Sequence, residues 1–179
     1  MEENKTELSK LLRKKRYTRF YILGFVDAEG CFSIAIKKQD DARFGWVLDP
    51  IFQVTQHKNS RSVLELIKNE LVCGRIIEKS GQPDTLVYLV DNRRQLAEKI
   101  IPFFEKYKLI TKNGDFEKFK EVVNCLENKE HKNLEQFKHL VRKVFEMNFE
   151  GKQRRYAIDE ILHNLKEQDP QRLNARHPE

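Results

Sequence analysis

No stretch of this chain approaches the ~18 consecutive apolar residues that a membrane-spanning helix needs. Cysteine is scarce: Cys31, Cys73 and Cys125 are odd in number and far apart, which excludes a disulfide framework and a thiolate zinc cluster. A reducing compartment fits that usage. The five histidines form no i,i+3 or i,i+4 pair, so a helical histidine metal site is excluded as well. Residues 1–19 lack an apolar core, and Glu2, Glu3 and Glu7 stand among the basic residues. That argues against both a secretory signal and a transit peptide.

What is present is charge. Of 179 residues, 35% are charged and 39% hydrophobic, enough for one domain-sized core under a polar surface. The net charge is +6 and divides evenly between the two halves of the chain. The basic excess therefore belongs to the folded body rather than a detachable tail, and it points to a polyanionic partner.

Residues 4–17 read as a basic lead-in helix, and Tyr17 to Glu29 continue with an apolar face that Gly30 ends. Two alternating stretches follow, 31–37 and 46–56, each a strand with one buried face, separated by a turn holding Asp40, Asp41 and Gly45. Pro50 inside the second predicts a bulge or an open edge. A helix over 60–72 precedes two short strands, near 74–79 and 84–91. Residues 92–107 read as a helix interrupted by Pro102, and helices fill the rest. The order predicts an α+β fold with an αββαββα core, an antiparallel sheet and C-terminal helices. Residues 1–16 read as a basic extension, 17–165 as the domain and 166–179 as a flexible tail.

The segment Ile22-Leu23-Gly24-Phe25-Val26-Asp27-Ala28-Glu29-Gly30 carries an apolar pair, acids and small residues in a distinctive order. It resembles the motif of the LAGLIDADG homing endonucleases. Phe52-Gln53-Val54-Thr55-Gln56, Gly74-Arg75-Ile76, Asp91-Asn92-Arg93 and Ile101-Pro102-Phe103 extend the likeness over roughly residues 17–145. Only one motif is present, so the chain resembles the single-motif, homodimeric group and half of a symmetric enzyme.

Gly24 and Ala28 lie four apart on one helix face, where small side chains let another backbone approach. A contact inside one core and a contact between protomers are equally compatible with that spacing. The resemblance implies the second, with Leu23, Gly24, Asp27 and Ala28 at the dimer interface. It also implies that Asp27 is structural while Glu29 and the Ala28 carbonyl hold metal. A carboxylate at a helix C-terminus is unfavourable by itself, and a bound cation reverses that balance. Taken without the motif, Glu29 is an ordinary solvated acid at a helix end.

Hard oxygen ligands suit Mg²⁺, with Mn²⁺ as a substitute. Such ions activate water and stabilise a leaving oxygen. In the group that this chain resembles, the pocket also holds a glutamine and basic residues. Gln56 falls on the glutamine. Ser60 and Tyr107 fall on the basic positions, with Arg61, Lys106 and Lys108 adjacent, so Arg61 and Lys108 are the cationic candidates. Each of these charges is otherwise a solvated surface residue.

Ser33, Lys37, Gln39, Asp49, Gln53, Thr55, Arg75 and Lys79 occupy the polar faces or ends of the expected strands. Such side chains on a twisted sheet can read base edges in a major groove. The alternative is the wet face of a half-covered sheet. Lys14 and Arg16 on the lead-in helix are candidate phosphate contacts, the alternative being a solvated helix face.

The resemblance thus implies a homodimeric, Mg²⁺-dependent endonuclease. It cuts each strand of a long pseudo-palindromic double-stranded DNA site, typically in an organellar rRNA gene of a mitochondrion or chloroplast, and involves no membrane. Two competitors stand beside it: an RNA-binding intron maturase, a different class that would show aromatic residues on the outer sheet face, and a non-catalytic DNA-binding regulator on the same fold, which would lack the motif acid.

Overall fold

The computed structural model describes residues 15–147 and 154–165. The expected tail and most of the lead-in helix, Lys14 included, lie outside them. Helix α1 (Lys15–Glu29) runs directly into β1 (Gly30–Lys38), which is followed by β2 (Trp46–His57), α2 (Arg61–Leu71), β3 (Arg75–Lys79) and β4 (Gln82–Val90). A long helix, α3, comprises Arg93–Gln95, a π-helical turn Leu96–Ile100 and the α-helical Ile101–Lys106. Helices α4 (Asn113–Glu127), α5 (Leu134–Phe145) and α6 (Ile158–His163) complete the described chain. The αββαββα order is thus present, with a four-stranded sheet ordered β1-β2-β4-β3. No helix among the described residues is long and apolar enough to cross a membrane.

The boundary between α1 and β1 has a steric cause. A Cβ on Gly30 would lie 2.6 Å from both the carbonyl oxygen and Cγ1 of Val26. Only glycine lets the strand leave the helix so abruptly. Gly74, before β3, combines φ +71° with a Cβ position 2.7 Å from the Leu89 carbonyl oxygen, so it too must be glycine. Helix α2 ends less comfortably, with the β-branched Val72 left-handed at φ 53° and largely exposed.

Two compact units share the chain. The first comprises the described residues up to Cys31 together with Phe52–Phe116; the second comprises Phe32–Ile51 and the described residues from Glu117 onward. The first is built on Ile22, Val26, Phe52, Val54, Leu64, Ile67, Tyr88, Ile100 and Phe104, all buried. Phe104 meets Phe52 at 5.6 Å and Phe116 at 5.9 Å between ring centroids. Within this unit β2 and β4 pair antiparallel from Phe52↔Val90 to His57↔Thr85, and β3 pairs antiparallel with β4. That register begins two residues after Pro50, so the missing amide of Pro50 removes no bond from it.

The second unit packs Phe32 on Phe119, Phe44 on Phe137 and Trp46 on Tyr156. Arg154 ties it together. Its guanidinium donates to the Ile34 carbonyl on β1 at 2.9 Å and to the Val144 carbonyl near the end of α5 at 2.5 Å. Burial lowers its pKa.

One local expectation needs correction. The helix over 92–107 is not interrupted at Pro102, because the π turn before it shifts the hydrogen-bond ladder and Pro102 falls at the start of the last α-helical segment.

Candidate active site at the end of the motif helix

Helix α1 has two faces of different character. Thr18, Ile22 and Val26 are buried. Tyr17 and Phe20 are each 49% exposed and Tyr21 is 40% exposed, and Gly24 and Ala28 continue that exposed side. A Cβ on Gly24 would meet nothing within 4 Å. Among the described residues, that side of Gly24 is therefore open. Leu23 is half-buried beside this stripe.

At the C-terminal end of α1 the two motif acids diverge. Asp27 turns into its own chain. Its carboxylate accepts the amides of Ile110 at 3.2 Å, Thr111 at 3.0 and 3.1 Å, and Lys112 at 3.0 Å. Partial burial works against the charged form, but the amides of Lys112, Thr111 and Ile110 outweigh it and hold the Asp27 pKa below its ordinary value. Glu29, the last residue of the helix, is exposed and has no hydrogen bond or ion pair among the described residues.

Lys112 is the residue that sequence reasoning missed. Its Nζ donates to the carbonyl oxygens of Asp27 and Ala28, at 2.8 Å each. The last turn of α1 contains no basic residue, so Lys112 supplies the positive charge there from a loop far along the chain. The Thr111 hydroxyl adds a bond to the Asp27 carbonyl at 2.9 Å. Nothing local in the sequence singles out Lys112 from the other lysines, and only the fold brings it to the helix end.

The other expected members occupy the same unit. Gln56 is half-buried near the end of β2, opposite Leu86. Arg61 opens α2 and pairs with Glu65 at 3.0 Å. Lys108 is exposed in the loop before α4. Tyr107 accepts a bond from Arg19 Nη1 at 3.2 Å, and that arginine also pairs with Glu70 at 2.5 Å. Ser60 caps α2 without a side-chain bond.

In the first unit, Gln53 and Thr55 share the half-exposed face of β2, opposite Leu89 and Val87. The register carries that face to Arg75 and Ile77 on β3, with exposed Lys79 at the strand's end. Arg75 is held by Asp91 through two bonds of 2.7 and 2.6 Å, and these hydrogen bonds raise its pKa. In the second unit Ser33 is half-exposed on β1, Lys37 and Asp49 form an ion pair between β1 and β2, and Gln39 is exposed in the turn after β1. Arg16 lies on the first turn of α1, its guanidinium 5.9 Å from the centre of the Phe20 ring.

For a metal ion, the described residues offer no cluster of three His, Cys, Asp or Glu side chains. The end of α1 does offer hard oxygens: the Glu29 carboxylate, without a partner among the described residues, and main-chain carbonyls that already attract an ammonium group. The donor chemistry fits a divalent cation, though one chain supplies only part of a coordination sphere.

The LAGLIDADG endonuclease family pattern matches residues 22–123. Homing endonuclease I-ApeII of Aeropyrum pernix is 36% identical over 146 residues, covering 79% of this chain and 86% of its own length. DNA endonuclease I-CeuI of Chlamydomonas moewusii is 39% identical over 131 residues, which are 71% of this chain and 59% of I-CeuI. Among solved structures, the archaeal intron-encoded homing endonuclease I-Vdi141I, complexed with DNA, matches with a TM-score of 0.79 at 44% identity, over 84% of this chain and 96% of that one. The I-CeuI complex with DNA matches with a TM-score of 0.77 at 28% identity, over 92% and 89%. Nucleases of this family are metal-dependent. With the single motif on α1, the αββαββα order and these matches in agreement, the chain belongs to the LAGLIDADG homing endonucleases.

Proposed function

We propose that the chain acts as a homodimer that cuts both strands of a pseudo-palindromic DNA duplex with Mg²⁺, Mn²⁺ serving as a substitute. The observation that carries this reading is Glu29. It stands exposed, with no partner among the described residues, at the end of a helix whose outer face carries Tyr17, Phe20, Tyr21, Gly24 and Ala28, all exposed in part or whole. Pairing two such faces would bury the exposed aromatic rings of both copies and bring two Glu29 carboxylates and two Ala28 carbonyls to one place. Small Gly24 and Ala28 would let the two backbones come close.

Each chain's residues then have distinct tasks. Glu29 and the Ala28 carbonyl would hold the ion, which when bound supplies an activated water and charge stabilisation at the scissile phosphate. Asp27 fixes the loop at Ile110–Lys112 and so keeps that end of the helix in shape. Gln56, Arg61 and Lys108 are the remaining site candidates, and Lys112 joins them as a cation already at the helix end. Positive charge there offsets the charge that develops on phosphate.

For recognition, Gln53, Thr55, Arg75 and Lys79 in the first unit and Ser33, Lys37, Gln39 and Asp49 in the second would contact bases. Lys14 and Arg16 would contact phosphates. The outward faces of β1 and β2 hold Cys31, Ser33, Ala35 and Lys37, and Val47, Asp49, Ile51, Gln53 and Thr55, with no aromatic ring to stack on an unpaired base. This favours duplex DNA over the maturase reading. The retained motif acid favours a nuclease over a silent regulator.

The target we propose is an intron insertion site in an organellar rRNA gene, in a mitochondrion or chloroplast. The test is a cleavage screen on DNA spanning uninterrupted rRNA genes. The expected result is two fragments from one site with Mg²⁺ and none with EDTA. No cleavage in any such gene, with Mg²⁺ or Mn²⁺, would contradict the proposal.

A further inference from the structure

The C-terminal end of an α-helix presents unsatisfied carbonyls and a partial negative charge. Helix α1 carries no basic residue in its last turn. Its end is nonetheless occupied: Lys112 Nζ lies 2.8 Å from the Asp27 carbonyl oxygen and 2.8 Å from that of Ala28. The adjacent Glu29 carboxylate is not part of this arrangement, and it has no partner among the described residues.

The backbone of Lys112 is held independently of its ammonium group. Its amide donates to Asp27 Oδ1 at 3.0 Å, and the neighbouring Thr111 donates its amide to the carboxylate and its hydroxyl to the Asp27 carbonyl. The base of the side chain is therefore fixed, while the head is a single charge at the end of a four-carbon stem. The head can leave the carbonyls without disturbing its anchor.

We infer that Lys112 is a displaceable placeholder for the divalent cation, its ammonium group sitting on the same Ala28 carbonyl oxygen that the ion would take. The inference rests on the proposal that Glu29 and Ala28 hold the metal. An ion at an Ala28 oxygen would stand at ~2.0–2.5 Å from it. An ammonium hydrogen-bonded to the same oxygen would then be a second cation in near contact, with strong mutual repulsion. Either the ion is excluded or the lysine head moves. Without metal, Lys112 neutralises the helix end and keeps it intact. With metal, the released head remains within one side-chain length of the site, where it can meet a phosphate. Metal loading and the supply of a mobile cation are thereby one event.

The test uses the full chain without DNA and Mn²⁺ as the probe, with bound ion measured from the loss of the free Mn²⁺ electron-paramagnetic signal. Lys112→Met removes the competitor and keeps much of the stem. It is expected to bind Mn²⁺ about tenfold more tightly than the unaltered chain, which corresponds to ~1.4 kcal/mol. In the unaltered chain, the ¹⁵Nζ resonance of Lys112 is expected to shift when Mg²⁺ saturates the site. Glu29→Gln is expected to lose Mn²⁺ binding. If binding depends on Glu29 but Lys112→Met binds no more tightly and the Lys112 resonance does not move, the placeholder is wrong and the metal site stands. If binding is indifferent to Glu29→Gln, the metal site itself is wrong and the placeholder falls with it. Should Lys112→Met fail to fold, the resonance decides alone: movement supports the exchange and its absence overturns it.

Discussion

The carboxylate of Asp27 takes the amide of Thr111 with both oxygens, at 3.0 and 3.1 Å, across 84 positions of sequence. The two acids of the motif thus have separate structural roles. Asp27 is consumed in holding a loop of its own chain, whereas Glu29, two residues on, remains available. Asp27→Asn keeps the shape but replaces a charged acceptor of three amides with a neutral one. It should lower the unfolding free energy at pH 7 by about 1–3 kcal/mol, read from urea denaturation. An unchanged midpoint would mean that the clasp contributes nothing to the fold.

Gly24 gives a cleaner test of assembly. A Cβ there would meet nothing within 4 Å among the described residues, and glycine inside a helix is less favourable than alanine by about 0.5–1 kcal/mol. Gly24→Leu should therefore fold at least as well as the parent while failing to dimerise, since a bulky residue holds the motif helices apart. Sedimentation should report a stable monomer. A stable, active dimer would place the interface elsewhere.

Val72 offers a stability prediction independent of function. It is β-branched, left-handed at φ 53° and 74% exposed. Glycine adopts that conformation without the steric cost of roughly 1–2 kcal/mol. Val72→Gly should raise the urea midpoint slightly despite the greater freedom of its unfolded chain. A lower midpoint would show that the valine side chain packs usefully against something.

Base reading and steering should separate by salt. Arg75 is held in place by Asp91 on the exposed edge strand. Arg75→Ala should cost ~1–3 kcal/mol at particular base pairs, at matching positions of both half-sites. Arg16→Ala should weaken all sequences evenly and reduce the salt slope by about one unit. Randomised-target cleavage profiles and binding at several salt concentrations distinguish the two. A reversed pattern would move the reading surface off the sheet.

The elements most visible in the sequence are those set by short-range constraints. Gly30 ends α1 because no larger residue fits against Val26, and the alternation of β2 survives into its burial almost residue by residue. The motif likewise puts Gly24 and Glu29 on one helix, as the fold does. What stayed hidden depends on long-range contacts. Lys112 is one lysine among many until the fold brings it to Ala28, and Arg154 reads as a surface charge until its guanidinium is found between two carbonyls. The π turn before Pro102 escaped for another reason. Proline marks a lost hydrogen bond, but whether a helix breaks or widens there depends on what packs around it.

The proposed metal-dependent cleavage depends on Glu29 as the acid that holds the ion. Glu29→Gln preserves size and removes the charge. The decisive measurement is cleavage of the target duplex with Mg²⁺, beside binding of the same duplex with Ca²⁺, for the parent and this variant. Cleavage should be abolished and binding kept within a few-fold of the parent. A Glu29→Gln protein that cuts at the parent's rate would contradict the assignment of the active site to the end of the motif helix.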